Sequence, residues 1–348
     1  MKSFSKFKMY SSWLMLEKYF SFFLMLALFA CSNNSTPPNI QTKTIVSPLD
    51  SLNDYISDNP NDLPSLILRG RNYLENANLL YADADADAVL EIDSLNHDAL
   101  LLKGESNYLS NSTRISRDYW TKCIKEHPED IQCRLKLAEL YSIVLDFQKS
   151  NELVNRVIEI DPQNPIAFFI KGVNIRDKKG DTALSLSYIQ KAIDLDPEYF
   201  VAIDMAAVML ANQKNELALS YYNRLIELEP NNFQTYYKMG MYHLSIDNYN
   251  AALESFTKST QINPQDAESF FNMGFIHLDL GLLLEARNFF SKSIEARAIN
   301  HRAFYGRGFC WERGGDLINA EKDYRQALSL NPQHQASQEA LKRIINLK

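Results

Sequence analysis

Seven prolines, Pro60, Pro128, Pro162, Pro197, Pro230, Pro264 and Pro332, stand 68, 34, 35, 33, 34 and 68 residues apart. Proline lacks a backbone N–H and clashes with the turn before it, so it ends a helix rather than continuing one. A stop that recurs every 34 residues, or at twice that, divides the chain into equal units. Self-similarity at such a period marks a stacked array rather than a single globule. With the prolines at position 32, or one residue to either side of it in the fourth and fifth units, the units are 63–96, 97–130, 131–164, 165–199, 200–232, 233–266, 267–300 and 301–334.

Within a unit, stretches such as AALESFTKSTQI and NAEKDYRQALSL place apolar residues at i, i+4 and i+7 or i+8, the helical period, and no strand-like alternation competes. Breakers such as Lys179-Gly180-Asp181 and Gly314-Gly315-Asp316 divide each unit into two helices. Position 8 is small throughout: Gly70, Gly104, Ala138, Gly172, Ala207, Gly240, Gly274 and Gly308. Allowing for a one-residue insertion in the turn of the fourth unit and a deletion in that of the fifth, position 20 is Ala or Ser: Ala82, Ser116, Ser150, Ser185, Ala218, Ala252, Ala286 and Ala320. With the same allowance position 24 is a knob, Trp120, Val154, Ile189, Tyr222, Phe256, Phe290 or Tyr324, with only Ala86 small. Small residues let two helices approach, and the knob fills the gap beside them. Ser94 and Ala298 replace the proline in two units, which loosens those turns without breaking the stack.

This pattern resembles the tetratricopeptide repeat family over residues 63–334. The resemblance implies an all-α solenoid, a right-handed superhelix of helix-turn-helix units. A capping helix is expected before it, within 48–62, and another after it, within 335–348. Such caps shield the stacking faces that terminal units would otherwise expose.

Ahead of the array, Lys2, Lys6, Lys8 and Lys18 precede the apolar run FSFFLMLALFA, which predicts a signal peptide over 1–30. The apolar stretch from Tyr19 to Ala30 is shorter than the roughly 18–20 residues that span a bilayer. LFAC resembles a bacterial lipobox: Leu28, Ala30 and Cys31 match it, whereas Phe29 is larger than the usual residue. The resemblance implies lipidation at Cys31 and a flexible tether over 31–47, with an ordinary secretory signal as the alternative. Ser32, and a tether without acidic residues, imply an outer-membrane lipoprotein whose body faces the periplasm. Removing 1–30 takes four lysines and Glu17 from totals of 36 basic and 43 acidic side chains, leaving a formal balance of −10. Neither nucleic acid nor an anionic membrane surface is an expected partner for such a body.

Chemistry is sparse. No GxSxG, HExxH, Walker loop or dinucleotide fingerprint occurs, so no catalysis, cofactor or small-molecule substrate is expected. Asp83, Asp85 and Asp87 mimic the start of a calcium loop, but its glycine is missing and its twelfth position is Ser94. A solvated helical face is the expectation there. His243 and His277 share position 11 in adjacent units, one helix spacing apart and too far for one zinc ion, so no metal is assigned. Cys123, Cys133 and Cys310 read as buried thiols, with a bridge from Cys123 to Cys133 as the other reading.

In the tetratricopeptide family the concave groove is lined by the first helix of each unit at positions 2, 5, 9 and 12. The last three units place there Gln234, Tyr237, Met241 and Leu244, then Glu268, Phe271, Phe275 and Leu278, then Arg302, Tyr305, Phe309 and Glu312. Position 9 is usually polar in the family, so Met241, Phe275 and Phe309 depart from it. They are the expected anchors for a partner peptide or helix, with Lys238, Asn272 and Arg302 positioned for its backbone or a carboxylate. The two-carboxylate clamp of chaperone-binding members, Lys at 5 with Asn at 9, is absent, and the first three units carry Arg71, Glu105 and Glu139 at position 9. The resemblance implies a non-catalytic scaffold or adaptor in envelope assembly or peptidoglycan remodelling. The alternative is a structural assembly factor of a secretion, pilus or gliding-motility apparatus.

Overall fold

The computed structural model describes residues 48–346, which hold eighteen α-helices and no strand. The leader, Cys31 and the tether lie outside the described residues. A single helix, α1 (Pro48–Asp58), precedes the pairs α2 (Leu63–Glu75) and α3 (Leu79–Ile92), α4 (His97–Leu109) and α5 (Thr113–Glu126), α6 (Ile131–Ile143) and α7 (Phe147–Ile160), and α8 (Pro165–Asp177) and α9 (Thr182–Leu195). Next come α10 (Phe200–Asn212) and α11 (Leu217–Leu228), α12 (Phe233–Ser245) and α13 (Tyr249–Ile262), α14 (Ala267–Asp279) and α15 (Leu283–Ala296), and α16 (His301–Arg313) and α17 (Leu317–Leu330). The last helix is α18 (Gln335–Ile345).

Local chemistry explains why the helices begin and end where they do. Asp or Asn precedes most first helices and accepts a backbone N–H of the opening turn: Asn96 from Ala99 at 3.1 Å, Asn164 from Ala167 at 3.1 Å, Asp266 from Ser269 at 3.2 Å. Inside each pair the turn contains one left-handed residue: Ala77, Asn111, Leu145, Lys179, Lys214, Asp247, Gly281 or Gly315. The next N–H bonds back five residues, as from Asp146 to Tyr141 at 2.8 Å, which closes a Schellman motif. Gly180 is not the conformational breaker there, because the left-handed position falls on Lys179. The turns at Ser94 and Ala298 form without proline: Asn96 still bonds Asp93 at 3.1 Å and Asn300 bonds Arg297 at 3.2 Å.

The core lies between the two layers of helices. Each knob is buried: Trp120, Ile189, Tyr222, Phe256, Phe290 and Tyr324 are among the largest enclosed side chains, and every position-20 residue is fully enclosed. Several successive first helices touch, α2 with α4, α6 with α8, α10 with α12 and α14 with α16, whereas no two successive second helices make comparable contact. The first helices therefore line the inside of the curve.

Two expectations are corrected. The solvated-face expectation fails at Asp85, which is buried in a two-pronged pair with Arg69 at 2.6 and 2.9 Å, while Asp83 and Asp87 stay partly exposed but clamp the buried Lys103 at 2.7 and 2.6 Å. Residues four apart share a helix face, so Asp83 and Asp87 meet α4 together while Asp85 turns to α2. The free-thiol reading fails for one pair as well. Cys123 and Cys133 form a disulfide, with Cα atoms 6.3 Å apart, because the end of α5 and the first turn of α6 meet across the inter-repeat turn. Cys310 alone is a free, buried thiol among the described cysteines.

Candidate partner-binding site

The inner face is graded along the array. At position 9 the first three units carry Arg71, Glu105 and Glu139, which join in a loose ladder: Arg71 lies 3.7 Å from Glu105, and Lys136 lies 3.6 Å from Glu105 and 4.0 Å from Glu139. The next two present Val173 and Val208, and the last three Met241, Phe275 and Phe309. Charge gives way to aliphatic side chains, of which Val173 is buried, and then to a thioether and two phenyl rings.

The last three units divide their groove residues into two kinds. Tyr237, Phe271 and Tyr305 at position 5 lean on the knobs of their own units, with ring centroids 6.0 Å from Phe256, 5.6 Å from Phe290 and 5.7 Å from Tyr324. They hold the helix pair together and are only partly exposed. Position 9 is less committed. Phe275 is 45% exposed; Met241 and Phe309 are half-buried on either side of it in the array. Phe309 lies 6.4 Å from Tyr305 and under the Arg313 guanidinium at 6.0 Å.

The polar members lie between units. Lys238 donates to both oxygens of Asp204 at 2.7 and 2.8 Å. Arg302 bonds Glu268 at 2.7 Å and lies 4.7 Å over the Phe271 ring, and Arg297 reaches the same carboxylate at 3.0 Å. Asn272, buried, donates to the Met241 sulfur at 3.3 Å. Guanidinium and ammonium groups carry several donors, so each cation keeps hydrogen-bonding capacity beyond these pairs. Glu312 is tied to the terminal helix: Arg343 donates to it at 2.7 and 2.8 Å and Tyr324 at 2.6 Å. The result is an apolar lane fixed on paired helices, bordered by charges whose positions are already set.

Sequence reasoning missed both Asp204 and Glu268 as partners. Each pair spans 34 residues; Glu268 and Arg302 share position 2 of adjacent units, so equal register was the available signal there, whereas Asp204 and Lys238 fall at positions 5 and 6. It also missed a cleft of about 630 Å³ among α11, α12 and α13, lined by Tyr236, Met239, His243, Glu254 and Lys258. His243 is buried there with Nδ1 unbonded, and burial lowers its pKa from the usual imidazole value. His277 is separate from it: its Nδ1 meets the Met273 carbonyl at 2.7 Å and its ring packs on Phe289 at 4.8 Å. Among the described residues no helix is long and apolar enough to cross a membrane.

Four units match models described as tetratricopeptide repeat, 301–334 one and 167–199, 233–266 and 267–300 another. No curated protein matches the chain. Among solved structures, the C-terminal part of a TPR repeat-containing protein from Cytophaga hutchinsonii is 16% identical, with a TM-score of 0.58 over 68% of this chain and 98% of that one. The Cut9–Hcn1 hetero-tetramer of the APC/C is 16% identical, with a TM-score of 0.50 over 84% of this chain and 58% of that one. PilW, described as a widely conserved type IV pilus biogenesis factor, is 15% identical, with a TM-score of 0.50 over 61% of this chain and 98% of that one. At these identities the likeness is one of fold.

Proposed function

Taking as premise that the chain is an all-α solenoid of tetratricopeptide repeats, we propose that it is a non-catalytic scaffold that holds a protein partner in the inner groove of its last three repeats. The carrying observation is the exposed Phe275 between the half-buried Met241 and Phe309, in the register where the first three repeats carry charge. Anchors that repeat once per helix pair suit an amphipathic helix or an extended peptide with spaced apolar side chains. Pockets around such anchors carry most of the binding energy of an interface, and a bordering charge fixes orientation more than affinity. Lys238, Asn272 and Arg302 are positioned to direct the partner's polar groups.

The leader pattern and Cys31 support an outer-membrane lipoprotein with its body in the periplasm, acting in envelope assembly or peptidoglycan remodelling. A second reading, a structural factor of a secretion, pilus or gliding apparatus, uses the same groove; PilW is a pilus factor of similar fold. Co-purification from solubilised membranes separates the two, yielding free hydrolases in the first case and integral outer-membrane subunits in the second. Cys31→Ala is expected to release the body from membranes or leave the leader uncleaved. Changing Met241, Phe275 and Phe309 together to Ser is expected to abolish partner recovery with helicity intact. Undiminished recovery by that helical variant rejects the groove.

A further inference from the structure

One junction of the array differs from the rest in its chemistry. His97 opens α4, Cys123 lies near the end of α5, Asp130 caps α6, and Cys133 sits in the first turn of α6. Each offers one ligand atom, and all four atoms lie within 4.8 Å of one another. Corresponding junctions close with simpler groups. Ser259 donates to Asp266 at 2.6 Å between α13 and α14, and Asn300 donates to Ser293 at 3.1 Å between α15 and α16. One hydrogen bond, given by Ser259 or accepted by Ser293, is enough to close this kind of turn, so two cysteines, a histidine and a carboxylate exceed what packing requires.

We propose that, when the Cys123–Cys133 disulfide is opened, His97, Cys123, Asp130 and Cys133 form a tetrahedral site for a zinc ion. Zinc takes imidazole, carboxylate and thiolate ligands at about 2.0–2.3 Å, which sets ligand atoms roughly 3.3–3.8 Å apart. Three helix ends gather the four atoms within 4.8 Å, and opening the bridge frees the two sulfurs, now bonded to each other, to move apart to that separation. Asp130 is oriented by its cap: Oδ1 accepts the Cys133 N–H at 2.6 Å, while Oδ2 turns to His97 Nε2 at 2.8 Å. On the far side of the imidazole, Nδ1 faces Asp98 at 3.3 Å. A carboxylate behind a histidine fixes its tautomer and leaves the other nitrogen for a metal. The cysteines are fully enclosed, and the half-buried His97 marks the side from which an ion enters.

The redox step balances with a thiol reductant. It gives two electrons and two protons to the disulfide and becomes a disulfide itself, while Cys123 and Cys133 become thiols. Zinc then displaces both thiol protons and binds two thiolates, one carboxylate and neutral imidazole, a site of net charge −1. The junction between the second and third repeats is thereby cross-linked in both redox states, by sulfur when oxidised and by metal when reduced.

The test uses the full chain, reduced with a phosphine under anaerobic conditions and titrated with Co²⁺ as a coloured substitute for zinc. The expected result is one equivalent bound with the intense visible bands of tetrahedral thiolate coordination, bleached by one equivalent of Zn²⁺, and no such bands from the oxidised chain. Asp98→Asn should weaken binding about 10-fold or more, as loss of an outer carboxylate does. Cys133→Ser and His97→Gln should lose the spectrum, and Cys310→Ser should keep it. The proposal is overturned if the reduced, helical chain shows no tetrahedral spectrum, or if Cys133→Ser binds like the parent. Should Cys133→Ser lose its helicity, His97→Gln, changed at a partly exposed side chain, decides in the same way.

Discussion

Changing Gly274 to Ala should destabilise the seventh repeat, although alanine is the better helix former. A Cβ at Gly274 would stand 2.9 Å from two ring atoms of Phe290 and 3.1 Å from a third. The ring has no room to retreat: Phe290 is 1% exposed, and a Cβ at Gly306 on the next repeat would come within 2.6 Å of its far end. One aromatic ring is thus sandwiched between glycines from successive units. Replacing a helical glycine by alanine gains about 1 kcal/mol of propensity. Overpacking a closed core costs about 1–3 kcal/mol, and a ring trapped on both sides belongs at the upper end. The net expectation is a loss of about 2 kcal/mol, read by urea unfolding followed by circular dichroism. Because solenoid stability is a sum of units and interfaces, faster hydrogen exchange should concentrate in α14, α15 and α16. Phe290→Leu makes room for the new methyl, so the double variant should lose at least about 1 kcal/mol less than the two single losses added. A stabilised Gly274→Ala protein, or strict additivity in the double variant, would refute the packing argument.

Three further outcomes follow from the same structure. Leu145 is left-handed with φ 64° and is 58% exposed, so Leu145→Gly should raise stability by about 1 kcal/mol in the same unfolding assay. Although burial pushes the other way, Arg343 and Tyr324 hold the Glu312 carboxyl below its usual range. The stabilisation this adds to the docking of α18 is fully present above the unfolded carboxylate pKa of about 4.3 and is lost as pH falls through the lower folded value. Arg343→Gln should flatten that acid limb and, since Arg343 is half exposed, cost only about 1 kcal/mol at neutral pH. Burial pushes the Cys310 thiol up to about 12, so iodoacetamide at pH 8 should alkylate the peptide containing Cys310 only after denaturant is added.

The repeat made most of the fold legible because each constraint is written eight times. Gly274 alone is a weak sign, but a small residue at the same position in every unit, with Gly104, Gly172, Gly240, Gly274 and Gly308 each facing the knob of its own unit, identifies one crossing geometry. What escaped was specific to a single unit. Asp83, Asp85 and Asp87 looked solvated because Arg69 and Lys103 sit on neighbouring helices, and helical periodicity does not say which face meets which neighbour. The Cys123–Cys133 bridge depended on how two helix ends meet, which spacing leaves open. The groove was legible as positions, and the structure added the division of labour among them. Tyr237, Phe271 and Tyr305 are largely engaged in packing, Lys238 and Arg302 are already paired, and Phe275 is the most open of the predicted anchors.

The central claim is that a partner lies against the inner face of the last three repeats, and photocrosslinking in intact cells measures that contact directly. A benzophenone amino acid placed at Phe275 should give a discrete adduct on irradiation. The same group at Leu80, which is 78% exposed on α3, serves as the reference surface. The account predicts an adduct from position 275 that disappears when Met241 and Phe309 are changed to Ser, and none from position 80. Adducts from position 80 alone, or an adduct from 275 that persists in the Ser variant, would contradict it.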